Sequence, residues 1–170
     1  MKPYILLLLV ATLSFSCKQE PSKPLVFGTE IGDYAPTFTS KTPEGKDLSL
    51  NDVDAKVIVL DFWASWCGPC RRENPNVVRM YNQYHDKGLE IVGISLDKKG
   101  QEDRWLKAIT QDQLTWKHVS SLEGWQEPIA VAYGVRSIPA TYILDGDGKI
   151  IAKNLRGKAL EDKIAEILTN

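Results

Sequence analysis

Cys67-Gly68-Pro69-Cys70 carries the clearest chemistry in this sequence. Two cysteines at that spacing can close a small disulfide ring, so the pair can store two electrons as a dithiol and give them up as a disulfide. The reactive form of cysteine is the thiolate. It is favoured where a helix begins, because free backbone N–H groups and the positive end of the helix dipole face it there. Cys67 is therefore expected to be the exposed nucleophile. A zinc site would need a second cysteine pair, and Cys17 is the only other cysteine, so no metal is expected. Upstream, Asp61 interrupts an apolar run. A carboxylate there would be costly to ionise, and the resulting raised pKa suits a general acid/base. Glu73, about one helical turn after Cys70, is a second candidate acid. Its plainer reading is a solvated helix residue paired with Arg71, Arg72 or Arg79.

The elements that must position these groups follow from patterning. Val57-Ile58-Val59-Leu60-Asp61-Phe62-Trp63 is too uniformly apolar to have a wet face, so it reads as the buried central strand of a sheet. A helix from about Pro69 to His85 should follow, kinked at Pro75 and packing Val77, Val78, Tyr81 and Tyr84 on the sheet. Leu89 to Leu96 is a second apolar strand, Glu102 to Asp112 a short helix and Trp116 to Val119 an edge strand. Gly124 to Tyr133 reads as a helix with Pro128 near its start and Gly134 as its left-handed cap. Thr141 to Leu144 and Lys149 to Ala152 are strands around the Asp145-Gly146-Asp147-Gly148 turn, and Ala159 to Leu168 is the last helix. Ahead of the central strand, Ile31 to Phe38 and Asp47 to Leu50 read as two short strands joined by a Gly-containing turn. Alternation of this kind implies an α/β sheet covered by helices.

Trp66-Cys67-Gly68-Pro69-Cys70 after a strand ending in Asp61-Phe62-Trp63-Ala64 resembles thioredoxin. Arg71-Arg72-Glu73-Asn74-Pro75 and Gly134-Val135-Arg136-Ser137-Ile138-Pro139-Ala140-Thr141 resemble the ResA/TlpA-like branch of extracytoplasmic thioredoxins, over roughly Ile31 to Leu168. The resemblance implies a thioredoxin fold with an N-terminal β-hairpin extending the sheet and a central helix-strand insertion. It implies a thiol:disulfide oxidoreductase in which Cys67 attacks a substrate disulfide and Cys70 resolves the mixed disulfide. Asp61 matches the buried acid of thioredoxin, and Glu73 an acid used by ResA-like proteins. Ile138-Pro139 is implied to be a cis bond facing the substrate strand, with Trp66, Gly68 and Pro69 on the substrate side. Packing alone would also account for Trp66. Gly157 could bring the loop before the last helix close to the active turn, or simply start that helix. The Gly-Pro dipeptide resembles the reducing members. No cofactor beyond the dithiol is implied. The implied partners are protein disulfides, possible haem-attachment thiols in cytochrome c maturation, and a membrane electron donor of the DsbD/CcdA type.

Residues 1–16 carry one lysine and an apolar stretch too short to span a bilayer, which suits a signal peptide. Cys17 follows Ser14-Phe15-Ser16, a relaxed version of the lipid-attachment signal, so lipidation at Cys17 is expected, with a soluble periplasmic protein as the alternative. Residues 17–30, polar and holding Pro21 and Pro24, read as a flexible tether, and residues 31–170 as the thioredoxin-like domain. The expected location is the periplasmic face of a bacterial membrane. A formal charge of −1 without a basic stripe argues against nucleic acid. His85 is expected at an exposed helix end, and His118 as a copper ligand is the weaker reading. Two other functions stay open. A thiol peroxidase would share the hairpin but needs a Pro-x-x-x-Thr-x-x-Cys frame, where this chain has Asp61-Phe62-Trp63-Ala64-Ser65-Trp66. A non-catalytic binding lipoprotein would not need Cys67.

Overall fold

The computed structural model describes residues 25–169; the expected signal peptide, Cys17 and the first part of the tether lie outside the described residues. In chain order the elements are β1 (Thr39–Lys41), β2 (Asp47–Ser49), β3 (Val57–Trp63), α1 (Gly68–Tyr84), β4 (Leu89–Ser95), α2 (Glu102–Gln111), β5 (Lys117–Val119), α3 (Pro128–Ala132), β6 (Ala140–Asp145), β7 (Ile150–Lys153) and α4 (Gly157–Thr169). Five of the strands form one sheet in the order β5-β4-β3-β6-β7. β3 runs parallel to β4 and antiparallel to β6, and every residue of β3 and β4 is buried. The uninterrupted apolar runs dictate that position, since a strand without a polar face is stable only with both faces covered. Helices α1 and α4 pack against each other over β4 and β3.

An aromatic cluster ties the back half of the chain to its start. Tyr133 lies 5.6 Å from Phe62 and 5.0 Å from Tyr142 between ring centroids. Its hydroxyl donates to the Pro36 carbonyl at 2.8 Å, and the Tyr142 hydroxyl donates to the Tyr133 carbonyl at 2.7 Å. Each buried tyrosine hydroxyl is thus satisfied by a backbone carbonyl.

Three expectations are corrected. The first hairpin strand begins at Thr39, not within Ile31 to Phe38. The earlier segment instead lies along β7, through Gly32 N–H to the Ile150 carbonyl and Ile150 N–H to the Asp33 carbonyl, both at 2.8 Å. Gly32 at φ +101° and Pro36, which lacks a donor, prevent a regular ladder there. The hairpin also does not extend the main sheet. It is a separate two-stranded sheet, joined to it by the Ser120 N–H donating to the Lys41 carbonyl at 3.0 Å. Finally, the expected helix from Gly124 to Tyr133 is broken into a 3₁₀ turn, Gly124–Gln126, and the short α3. Pro128 forces Glu127 out of the helical region, to ψ 116°, and Glu127 then caps α3 with its side chain on the Ile129 N–H. Helix α1, in contrast, continues through Pro75 to Tyr84.

Tyr133→Phe removes the donor to the Pro36 carbonyl while keeping the ring. It is expected to lower stability by about 1 kcal/mol, read as a lower urea midpoint with an unchanged denaturation slope.

Candidate active site

Cys67 is the N-cap of α1, with extended backbone angles, and Pro69 sits in the first turn, where its missing N–H costs no helical bond. The sulfurs of Cys67 and Cys70 are joined in a disulfide, and the Cys67 sulfur also accepts the Cys70 N–H at 3.2 Å. The helix start is thus capped by the sulfur itself, and once reduced the same N–H favours a thiolate at Cys67. The expectation of an exposed Cys67 above a deeper Cys70 is not met in the disulfide form: they are 4% and 2% exposed. Gly68 and Pro69 are the exposed surface of the motif.

The turn ahead of Cys67 is held from two sides. Asp97, fully buried, accepts the Ser65 N–H at 2.9 Å, the Ser65 hydroxyl at 2.5 Å and the Ser95 hydroxyl at 2.7 Å. From the other side the Arg71 guanidinium donates to the Ser65 carbonyl at 3.2 Å while pairing with Asp112, which also accepts the Asn74 amide at 2.6 Å. Charge-assisted bonds on both backbone groups of one residue fix where the following tryptophan and cysteine emerge.

Beneath the motif, Asp61 is buried in β3, in register with Gly93 on β4 and Thr141 on β6. No donor hydrogen-bonds its carboxyl among the described residues. Burial, reinforced by the nearby Glu73 and partly offset by Arg156, raises its pKa to about 7. Glu73, half-buried on α1, accepts the Gly157 N–H at 2.6 Å and the Asn76 amide at 3.2 Å. The ion pair with Arg71, Arg72 or Arg79 is not formed: Arg71 is bound to Asp112 and Arg79 to Glu161. Gly157 combines both readings, starting α4 at φ +51° and touching Glu73. Across the site Ile138-Pro139 is a cis bond, as the resemblance implied, and the Pro139 carbonyl accepts from Arg156.

Trp66, half-buried, lies 6.3 Å from Trp125 between ring centroids. Asp97, Arg156 and Trp125 were not singled out from the sequence. Asp97 had a faint signal, an acid directly after an apolar strand, whereas the other two sit in polar stretches with no pattern. His85 is exposed at the end of α1, as expected. His118 is buried beside Trp63 and Trp116, where burial lowers its pKa to about 4 and keeps it neutral. No cluster of three or more His, Cys, Asp or Glu side chains suited to a metal occurs among the described residues.

Residues 31–153 match the AhpC/TSA family. The chain is 33% identical over 139 residues to the thiol-disulfide oxidoreductase ResA of Bacillus thuringiensis subsp. konkukian, covering 82% of this chain and 77% of that protein. It is 35% identical over 147 residues to the thioredoxin-like protein YneN of Bacillus subtilis, covering 86% and 83%. Among solved structures, the thioredoxin domain of a thiol-disulfide oxidoreductase from Bacteroides vulgatus matches with a TM-score of 0.75 and 34% identity, over 82% of this chain and 98% of that one. The thioredoxin-type fold expected from the sequence is the fold found.

The Asp61 carboxyl ionises near pH 4 in an unfolded chain but only near 7 in the folded protein. Between those values the folded state holds a proton the unfolded state has lost, so this group's contribution to stability falls as pH rises. Asp61→Asn is expected to change stability little at pH 4 and to raise it by a few kcal/mol at pH 8, measured by urea denaturation of the oxidised protein. An equal effect at both pH values would contradict the buried titration.

Proposed function

The chain belongs to the AhpC/TSA family, as a ResA/TlpA-like member of the thioredoxin superfamily, and on that premise we propose that it is an extracytoplasmic reductant of protein disulfides, held at a membrane by lipid on Cys17. That it is a thiol:disulfide oxidoreductase follows from its relatives. The reductive direction, the location and the roles of individual residues are our reading. One observation carries it: a Cys67–Cys70 disulfide at the start of α1, with Asp61 buried in the strand that leads into it.

In the reduced protein the Cys67 thiolate attacks one sulfur of a substrate disulfide. That S–S bond breaks, a mixed disulfide forms, and the released substrate sulfur takes up a proton. The Cys70 thiol then gives its proton to Asp61 and attacks the Cys67 sulfur. The mixed disulfide breaks, the second substrate sulfur leaves and is protonated, and the protein is left in the disulfide form. Two electrons have passed from the dithiol to the substrate; of the two protons its sulfurs take up, one comes from Cys70 by way of Asp61 and the other from solvent, which holds the proton Cys67 lost on forming its thiolate. Asp61 suits the proton step because a carboxyl poised near neutrality is protonated and deprotonated with little cost at working pH. Glu73 is its companion acid, since its nearby charge raises the Asp61 pKa. Trp66, Gly68, Pro69, Ile138 and Pro139 form the substrate side. A membrane dithiol donor of the DsbD/CcdA type restores the reduced state, and the haem-attachment cysteines of c-type cytochromes are the substrates this reading assigns.

Reduction of insulin disulfides by the purified domain in the presence of a dithiol donor tests the reading. Wild type is expected to catalyse it, Cys67→Ser to abolish it and Cys70→Ser to accumulate a mixed disulfide on Cys67. Undiminished activity in Cys67→Ser, or rapid peroxide consumption by Cys70→Ser in its place, would contradict it.

A further inference from the structure

We propose that Trp125 is a specificity-determining residue: with Trp66 it forms an aromatic seat that receives an apolar side chain next to the disulfide-bonded cysteine of an extended peptide substrate. The proposal rests on the oxidoreductase reading above and adds the class of peptide preferred. Trp63, Trp105 and Trp116 are each at most 6% exposed, and Trp66 is half-buried, whereas Trp125 is 40% exposed. The two rings nearest to water are also neighbours, tilted at 56° to each other, and one of them immediately precedes Cys67. A tryptophan offers one of the largest apolar areas of any side chain, and holding it at the surface forgoes the stabilisation that burying it would give.

The exposed ring is held there by a rigid frame. Gly124 adopts φ +62°, a conformation that a side chain there would strain, and donates its N–H to the Asp97 carbonyl at 3.1 Å. On the far side of Trp125, the fully buried Glu127 accepts the Ser121 N–H at 2.7 Å and the Ser121 hydroxyl. Asp97 is thus shared. Its carbonyl fixes the turn that presents Trp125, and its carboxylate fixes Ser65, beside Trp66 and Cys67. Asp97 thus ties the turns that carry the two rings to each other, so the seat exists before a substrate arrives and little ordering is lost on binding. Its occupant must be the chain that brings a sulfur to Cys67, because the seat is continuous with the reacting turn. A second copy of this chain is the competing occupant.

The test uses the reduced protein and two linear peptides, each with one cysteine in a disulfide to glutathione, identical except for leucine or serine beside that cysteine. Second-order reduction rates are followed by peptide chromatography, with circular dichroism and urea midpoints confirming the fold of each variant. Wild type is expected to prefer the leucine peptide by about tenfold, the discrimination ordinary for a side chain entering an apolar site. Trp125→Ala is expected to bring that ratio close to one, and Trp125→Phe to retain most of it. A wild-type ratio near one, or the same ratio in wild type and Trp125→Ala, overturns the proposal. So does a dimer in sedimentation that Trp125→Ala dissolves. Failure of the wild type to reduce either peptide overturns the oxidoreductase reading beneath it.

Discussion

A carboxyl group in the middle of a buried strand is costly to ionise, and the chemistry of this site depends on how the elements around Asp61 set its charge. Asp61 remains protonated up to about pH 7 because burial opposes its charge and Glu73 stands nearby. Arg156 offsets part of this effect. To act from there, Arg156 must be fixed, and the strand next to Asp61 does it. Thr141, the register partner of Asp61 on β6, accepts the Asn154 N–H at 2.7 Å on its carbonyl and donates its hydroxyl to the Leu155 carbonyl at 2.8 Å. Arg156 then reaches the carbonyl of the cis proline, and Gly157 reaches Glu73. Both acids, the cation and the cis-proline loop are therefore joined through one short segment between β7 and α4.

The dithiol is held by a second arrangement on the opposite side of the helix start. Ser65 is clasped between Asp97 and Arg71, and the first turn of α1 is closed by the Cys67 sulfur accepting a backbone N–H. Rigid placement matters for thiol exchange, because three sulfurs must approach in line while the attacking thiol loses its proton. The Asp97 network extends this rigidity outward to the turn bearing Trp125, so the reactive sulfur and the surface that meets its substrate share one support.

Asp61 could be read from the sequence because an acid in an apolar strand has no bland explanation. The central strands and α1 could be read because their apolar runs are long. The cis bond before Pro139 was available only through resemblance, since X–Pro bonds are mostly trans and nothing local dictates otherwise. Asp97 and Arg156 escaped notice for a different reason. Their partners lie far along the chain, Ser65 for the first and Pro139 for the second, and a hydrogen bond of that range leaves no periodic trace. The hairpin boundaries and the broken helix around Pro128 were misplaced where a single proline or glycine outweighed the surrounding pattern. Cys67 was expected to be exposed because it stands first in the motif at the helix start; its burial in the disulfide form depends on the packing of its neighbours, which spacing does not specify.

The central claim is that a proton passes between the dithiol and Asp61 during exchange. Its most direct test is the single-turnover rate at which the reduced protein reduces a protein disulfide, followed from pH 5 to pH 9 in wild type and in Asp61→Asn. The account predicts an inflection in the neutral range for wild type that disappears in the variant, which should also be slower at neutral pH. Superimposable profiles in the two proteins would contradict it.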